Sequence, residues 1–247
     1  MITRTETVMG TVVSFLVEAP EGGAADVESL LDAAAAELHR IDDRFSAWRS
    51  DSELSRLRRG EHAAPSPLMR EVIDLCEFAR DATAGYFDPW SLPGGFDPTG
   101  LVKGWAAERA LDVLMDGGVT SALVNAGGDI CVAPGDTFDV GVQHPSVRDA
   151  LCGVIRVDSA AATSGVYERG EHLVNPFGGE VGAVSATVVG GRLAIADAFA
   201  TALAVGGDAV LAVLERTPDV EGFFITRDGA LYQTSAMDLG RDRVSGR

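Results

Sequence analysis

One helical run held between two glycine-dense turns constrains this chain most: Asp97 to Ile130, DPTGLVKGWAAERALDVLMDGGVTSALVNAGGDI. Charged residues stand at both ends of it, Asp97 and Lys103 around the first turn and Asp129 after the second. Chains place glycine where backbone must approach a bulky group or adopt positive φ. A helix N-terminus beside the first turn favours an anion. The segment is neither a Walker loop nor a Rossmann fingerprint, since it has neither GxxxxGK followed by Ser or Thr nor GxGxxG.

The texture of the chain differs on the two sides of this segment. Before it, apolar residues recur at helical spacing over 24–44 (Val27, Leu30, Leu31, Ala34, Leu38, Ile41) and over 65–83 (Leu68, Val72, Leu75, Cys76, Ala79), which predicts two helices. Ser52 is placed to cap a short helix between them. Thr7 to Glu18 reads as a strand entered through Met9-Gly10-Thr11. Residues 85–100, with two Asp-Pro pairs, read as loop, and Trp105 to Met115 as the helix of the opening segment. From Ser121 onward short β-branched runs alternate with turns: SALVNAGG, FDVGVQHP, CGVIRVDSAAATSG, HLVNPFGG and AVSATVVGG. Helices over 193–205 and 209–215 follow, then a hairpin turning at Asp228-Gly229. Helices, antiparallel strands and helices again predict α+β rather than a doubly wound parallel sheet. With no linker in sight, residues 1–247 are expected to form one compact domain of antiparallel sheets with flanking helices.

Its 20 Lys and Arg against 37 Asp and Glu leave a net charge of −17. Without a basic patch, such a chain repels nucleic acid, so none is expected as a partner. Binding a phosphate then calls for a metal cation or a few focused basic residues. The cysteines Cys76, Cys131 and Cys152 form no CxxC and are odd in number, so they read as buried free thiols. No stretch reaches the ~18 apolar residues of a membrane helix. The start, MITRTETVMGTVVSF, lacks the apolar core of a secretory signal, and the expected compartment is the cytoplasm.

Several residues could carry chemistry. Asp197 and Thr201 in AIADAFATAL are four apart, hence on one helix face, in an otherwise apolar helix. A carboxylate with a hydroxyl suits Mg²⁺, which takes few protein oxygens and fills its shell with phosphates and water. The same spacing also fits an Asp near a helix start with a Thr bonded to its own helix backbone. His172 in EHLVNP is a possible general base, although a lone histidine is more often structural. Lys103 opens a helix and can meet a phosphate or simply stay solvated. Asp88 and Asp97 precede prolines and read equally well as turn residues. Trp48 and Phe87 can stack on a flat ring or serve the core.

The order of these pieces is more specific than any one of them. MGT comes first, then FSAWRSDSELSRL, GYFDP, DPTGLVKGWAAERAL, LVNAGGD, TSGVYER, HLVNP and ADAFATAL. Over Met9 to about Gly206 the chain resembles the ApbE-type flavin transferases, the FAD:protein FMN transferase family. The resemblance implies a duplicated T-fold-like α+β fold. It implies FAD as substrate, Mg²⁺ as cofactor, and transfer of the FMN half of FAD to a Thr or Ser hydroxyl of a target protein, with release of AMP. By the same resemblance, Met9, Trp48, Tyr86, Phe87, Asp88, Asp97, Lys103 and Leu173 line the FAD site. Asp197 and Thr201 hold Mg²⁺ with a backbone carbonyl from Gly100 to Val102, and His172 is the base.

Two positions depart from the family pattern. Val166 in SGVYER and Asn175 in HLVNP stand where the family often has acids. Two alternatives stay open: Mg²⁺-dependent cleavage of FAD to FMN and AMP at the same site with water as acceptor, or, favoured if the two missing acids matter, FAD binding without catalysis. A further stretch, GAVSAT at Gly182 to Thr187, loosely resembles the family's target motif but lacks its leading acid.

Overall fold

A computed structural model describes residues 1–18, 24–61, 64–92, 94–147, 149–165 and 173–240. The chain starts with strands β1 (Ile2–Val8) and β2 (Thr11–Val17), followed by helices α1 (Ala24–Phe45), α2 (Glu53–Arg58), α3 (Pro67–Ala82) and α4 (Thr99–Asp116). Strands β3 (Ala122–Ala126), β4 (Asp129–Val132), β5 (Phe138–Gln143), β6 (Leu151–Val157), β7 (Ala160–Gly165) and β8 (Ser185–Gly190) come next. Helices α5 (Leu193–Gly206) and α6 (Asp208–Leu214) and strands β9 (Val220–Ile225) and β10 (Leu231–Gln233) complete it.

Eight strands form one sheet in the order β1-β2-β3-β4-β7-β8-β9-β10, and β5 and β6 pair separately. Every pairing is antiparallel, as the α+β expectation requires. The order contains a repeat. In each half a hairpin leads to helices and then to a second hairpin, which pairs beside the first: β1-β2, α1 to α4, β3-β4; then β7-β8, α5-α6, β9-β10. This is the expected duplication, joined at the β4–β7 seam.

The sheet separates two apolar layers, and period-two alternation assigns residues to them. On β4 Cys131 joins the larger core with the helices, while Ile130 and Val132 face the β5–β6 hairpin. Ala160 and Ala162 of β7 likewise face the helices, and Ala161 faces the hairpin. Helix α5 runs through the larger core and is buried on nearly all sides, which is why its sequence is apolar all round rather than amphipathic. The predicted face of α1 is as expected: Val27, Leu31, Ala34, Leu38 and Ile41 are wholly buried, with Leu30 at the margin.

Three elements differ from expectation. Thr7 to Glu18 belongs to a hairpin rather than to one strand, because Met9 (φ 53) and Gly10 (φ 70) both adopt the left-handed conformation of a tight two-residue turn. Residues 173–182 of the HLVNPFGG run and its continuation carry no strand. There the Asn175 side chain accepts from the Phe177 amide, and Gly178 and Gly179 take positive φ, so the chain turns instead of extending. Helix α4 begins six residues before Trp105, at Thr99, where Asp97 Oδ1 accepts the Thr99 amide at 3.1 Å. Of the cysteines, Cys76 and Cys131 are buried, and burial pushes both thiols well above their ordinary range. Cys152 is only partly buried.

Candidate active site

Helices α4 and α5 cross at two glycines, and this crossing builds the site. A Cβ added at Gly104 would lie 2.6 Å from the Leu193 carbonyl oxygen and 3.1 Å from the Asp197 Cβ. One turn earlier, a Cβ at Gly100 would lie 3.3 Å from both Thr201 Oγ1 and the Phe87 ring. Residues four apart share a helix face, so Gly100 and Gly104 of α4 lie against Thr201 and Asp197 of α5. Asp197 is 3% exposed. Its Oδ2 accepts the Gly104 amide at 3.1 Å, and Thr201 Oγ1 is 3.1 Å from Ser164 Oγ on β7.

Beyond this crossing lies a cavity enclosing about 780 Å³ of empty space, part of it open to solvent. Tyr86, Phe87, Asp88, Asp97, Gly100, Lys103, Leu173, Asp197 and Thr201 line it, together with Thr163, Ser164 and Gly165. A second cavity, enclosing about 1080 Å³, is lined by Met9, Gly10, Trp48, Val102, Thr99 and Lys103 among others. The two share Thr99 and Lys103, so the start of α4 stands between two adjoining lobes. Every nominated residue among those described therefore lines one lobe or the other. Met9, Trp48 and Val102 belong to the second lobe, apart from Asp197 and Thr201 in the first. His172 lies outside the described residues.

Local chemistry explains how each group is held. Met9 occupies its strained turn with its amide 3.3 Å from Asp42 Oδ2. Trp48 is 96% exposed, an indole left at the rim of an open lobe. The Phe87 amide donates to the buried Thr83 hydroxyl at 3.1 Å, and Tyr86 packs edge-to-face on Phe177 with ring centres 5.0 Å apart. Asp97 is paired with Arg58 at 2.8 Å and Asp88 with Arg80 at 3.4 Å. Helix α5 has no side-chain cap, and Glu108 of α4 pairs with its N-cap residue Arg192 at 2.9 Å. Burial raises the Glu108 carboxyl, while Arg192 and the amides of Leu193 and Ala194 favour its charged form.

Three site residues were not singled out from the sequence. Asp129, wholly buried, closes the NAGGD turn and makes an ion pair with Lys103; its Oδ1 accepts the Thr163 amide at 3.1 Å. Ser164 bonds Thr201, and Thr163 bonds Thr187 at 2.9 Å. The one signal for Asp129 was an acid directly after a glycine pair. Thr187, the last residue of GAVSAT, is 1% exposed in β8 and is no accessible acceptor.

A sequence model of the ApbE family matches residues 9–94 and 93–224. The chain belongs to the ApbE family. A Treponema pallidum protein named FAD:protein FMN transferase is 25% identical over 98% of this chain and 88% of its own length. A Rhodobacter capsulatus protein of the same name is 31% identical over 58% of this chain, covering 30% of that protein. Among solved ApbE structures, the flavin transferase from Vibrio cholerae superposes with a TM-score of 0.80 at 22% identity, over 95% of this chain and 97% of that one. The ApbE protein from Thermotoga maritima does so at 0.83 and 19% identity over the same shares. At such identities the structural likeness speaks for the ApbE fold alone.

Proposed function

We propose that this chain transfers the FMN half of FAD to a Ser or Thr hydroxyl of a target protein and releases AMP. The observation that carries the reading is the helix crossing. There a buried carboxylate and a hydroxyl, one turn apart, face a glycine cradle and a lysine inside a two-lobed cleft. Family membership and the names of the relatives support the same reading.

Among the described residues, no group of three or more His, Cys, Asp or Glu gathers in a way that could hold a metal. A softer transition metal is therefore poorly served. The donors present, Asp197, Thr201 and backbone oxygen of α4, fit Mg²⁺, which needs only one or two carboxylates. Gly100 is the fitting backbone donor, since a Cβ there would fill the space beside Thr201. An α-helical amide at 104 points to the carbonyl of residue 100, and Asp197 draws on that amide. When bound, Mg²⁺ neutralises charge on the FAD pyrophosphate and on the departing phosphate.

The chain's own residues do the rest. The two lobes accommodate the two halves of a dinucleotide on either side of Lys103. Its ammonium answers charge that develops as AMP leaves. Trp48, fully open at the rim, offers a face for a flat ring, while Phe87 is buried in the core with only its edge at the cavity wall. The acceptor oxygen forms a bond to the FMN phosphorus as the bond from that phosphorus to the AMP oxygen breaks. AMP leaves with the electron pair, and the acceptor proton passes to His172, the proposed base.

On the same reading residues 1–247 act as one domain, supported by the sheet that runs through both halves. No described helix is long and apolar enough to cross a membrane. Free thiols suit a reducing compartment, and we place the reaction in the cytoplasm, testable by cell fractionation. The central test mixes the protein, FAD, Mg²⁺ and a peptide bearing a Ser/Thr acceptor motif, with mass spectrometry as readout. A peptide–FMN adduct is expected. Free FMN and AMP without adduct would make the chain a pyrophosphatase, and intact FAD a binding protein.

A further inference from the structure

The Lys103 ammonium lies between two carboxylates brought from distant parts of the chain. It makes an ion pair with Asp129 Oδ2 and stands 3.9 Å from Asp197 Oδ2. Asp129 is wholly buried, Asp197 nearly so, and the lysine side chain is 15% exposed. Asp129 is itself fixed. Its backbone pairs with Ala126 in the β3–β4 hairpin, and its Oδ1 accepts the Thr163 amide. The acids that line the cavity beside Asp197 have arginine partners, Asp97 with Arg58 and Asp88 with Arg80. Lys103 thus bridges a buried acid behind the cavity wall, Asp129, and one on the wall, Asp197.

Attraction between opposite charges is strong at such separations where water is scarce. A lysine released from Asp129 would close on Asp197. Both it and the Gly104 amide already approach the same oxygen, Oδ2. An ammonium seated on Asp197 competes with any cation for that carboxylate.

We propose that Asp129 is a positioning residue that holds Lys103 off Asp197, leaving the Asp197 carboxylate to a divalent cation and the ammonium facing the cleft. This rests on the reading of Asp197 as a cation ligand. Outer partners of metal ligands typically govern about 10–100-fold of metal affinity; here the outer partner acts by restraining a competitor.

The test uses the full chain with Mn²⁺ as probe, followed by loss of the free-ion EPR signal, without FAD or turnover. Asp129→Asn is expected to weaken Mn²⁺ binding at least about tenfold. Adding Lys103→Met to it should restore binding to within about threefold of the unsubstituted protein, because the competitor is gone. Unchanged binding in Asp129→Asn overturns the proposal. So does equal weakness in the single and double variants, which would mean that Asp129 acts through its own charge or through the fold. If Asp129→Asn does not fold, the double variant compared with Lys103→Met alone decides. Equal affinity supports the proposal, and a tenfold loss sinks it. Normal Mn²⁺ binding in Asp129→Asn beside intact FMN transfer by the unsubstituted chain removes this inference only. Absence of both Asp197-dependent Mn²⁺ binding and FMN transfer removes the functional reading as well.

Discussion

Asp197 is a carboxylate set into a helix that is otherwise apolar and buried on nearly all sides. A buried charge is costly unless it is paired and hydrogen-bonded; here the Gly104 amide bonds Asp197, and the Lys103 ammonium, paired to Asp129, stands 3.9 Å away. Asp197→Ala is expected to lower FMN transfer at least about 100-fold, because a metal's charge stabilisation is worth several kcal/mol. Circular dichroism should remain that of the folded chain; full activity in this variant would remove Asp197 from the metal site. His172→Ala should keep FAD affinity, read by flavin fluorescence, and lose about 100-fold or more in turnover. The pairing of Asp197 with Thr201 was legible in the sequence because both lie on one helix, where spacing fixes geometry. Asp129 was not, since it reaches Lys103 from another element, and no periodicity encodes that meeting.

At the scale of elements, the α4–α5 crossing is the most exacting feature. Gly104→Ala would drive a methyl to 2.6 Å from a backbone oxygen, so the helices must separate. A destabilisation of about 1–3 kcal/mol is expected in urea unfolding, with transfer falling too, because Asp197 moves with α5. Gly100→Ala, where the nearest atoms lie at 3.3 Å on side chains, should perturb the fold less; equal effects would argue against the crossing as the constraint.

Helix ends carry their own chemistry. Ser66 caps α3 through the Met69 amide, and Glu53 accepts from both the Ser66 amide and hydroxyl while pairing with Arg44. Burial alone would raise the Glu53 carboxyl, but Ser66 and Arg44 prevail and hold it below the ordinary range. Burial likewise opposes Glu37, and its bonds to Arg40 and Arg109 prevail there. Acids with folded values below unfolded ones stabilise fully above about pH 4.3, and that stabilisation is lost as pH falls through the folded value. Glu53→Gln should therefore melt lower at pH 7 and show a shallower decline between pH 5 and about 3. A parallel decline would remove Glu53 from the acid transition.

At the scale of the molecule, the two halves share one sheet, and α5 of the second half packs on α4 of the first. The site lies at that junction, so neither half holds it alone. Thermal unfolding should accordingly be a single transition, with calorimetric and van't Hoff enthalpies in agreement. Two separated transitions would refute one cooperative domain. On the proposed function, the charge of −17 leaves Lys103 and a bound cation to receive the pyrophosphate.

By itself the sequence determined what local physics controls. It set the helices through their 3.6-residue spacing, the strands after Ser121 through β-branched runs, and the Ser52 cap through an N-terminal hydroxyl. It also set the Asp197–Thr201 pair through one helix turn. The β1 strand escaped notice because its residues are mostly polar, and HLVNPFGG looked extended because an Asx turn is invisible to hydropathy. Only the tertiary structure decided which elements meet. Two glycines bring α4 onto α5, a hairpin carries Asp129 to Lys103, and the start of α4 stands between Met9–Trp48 and Phe87–Asp197. Such contacts join residues far apart in the chain, where close packing rather than periodicity selects the partner.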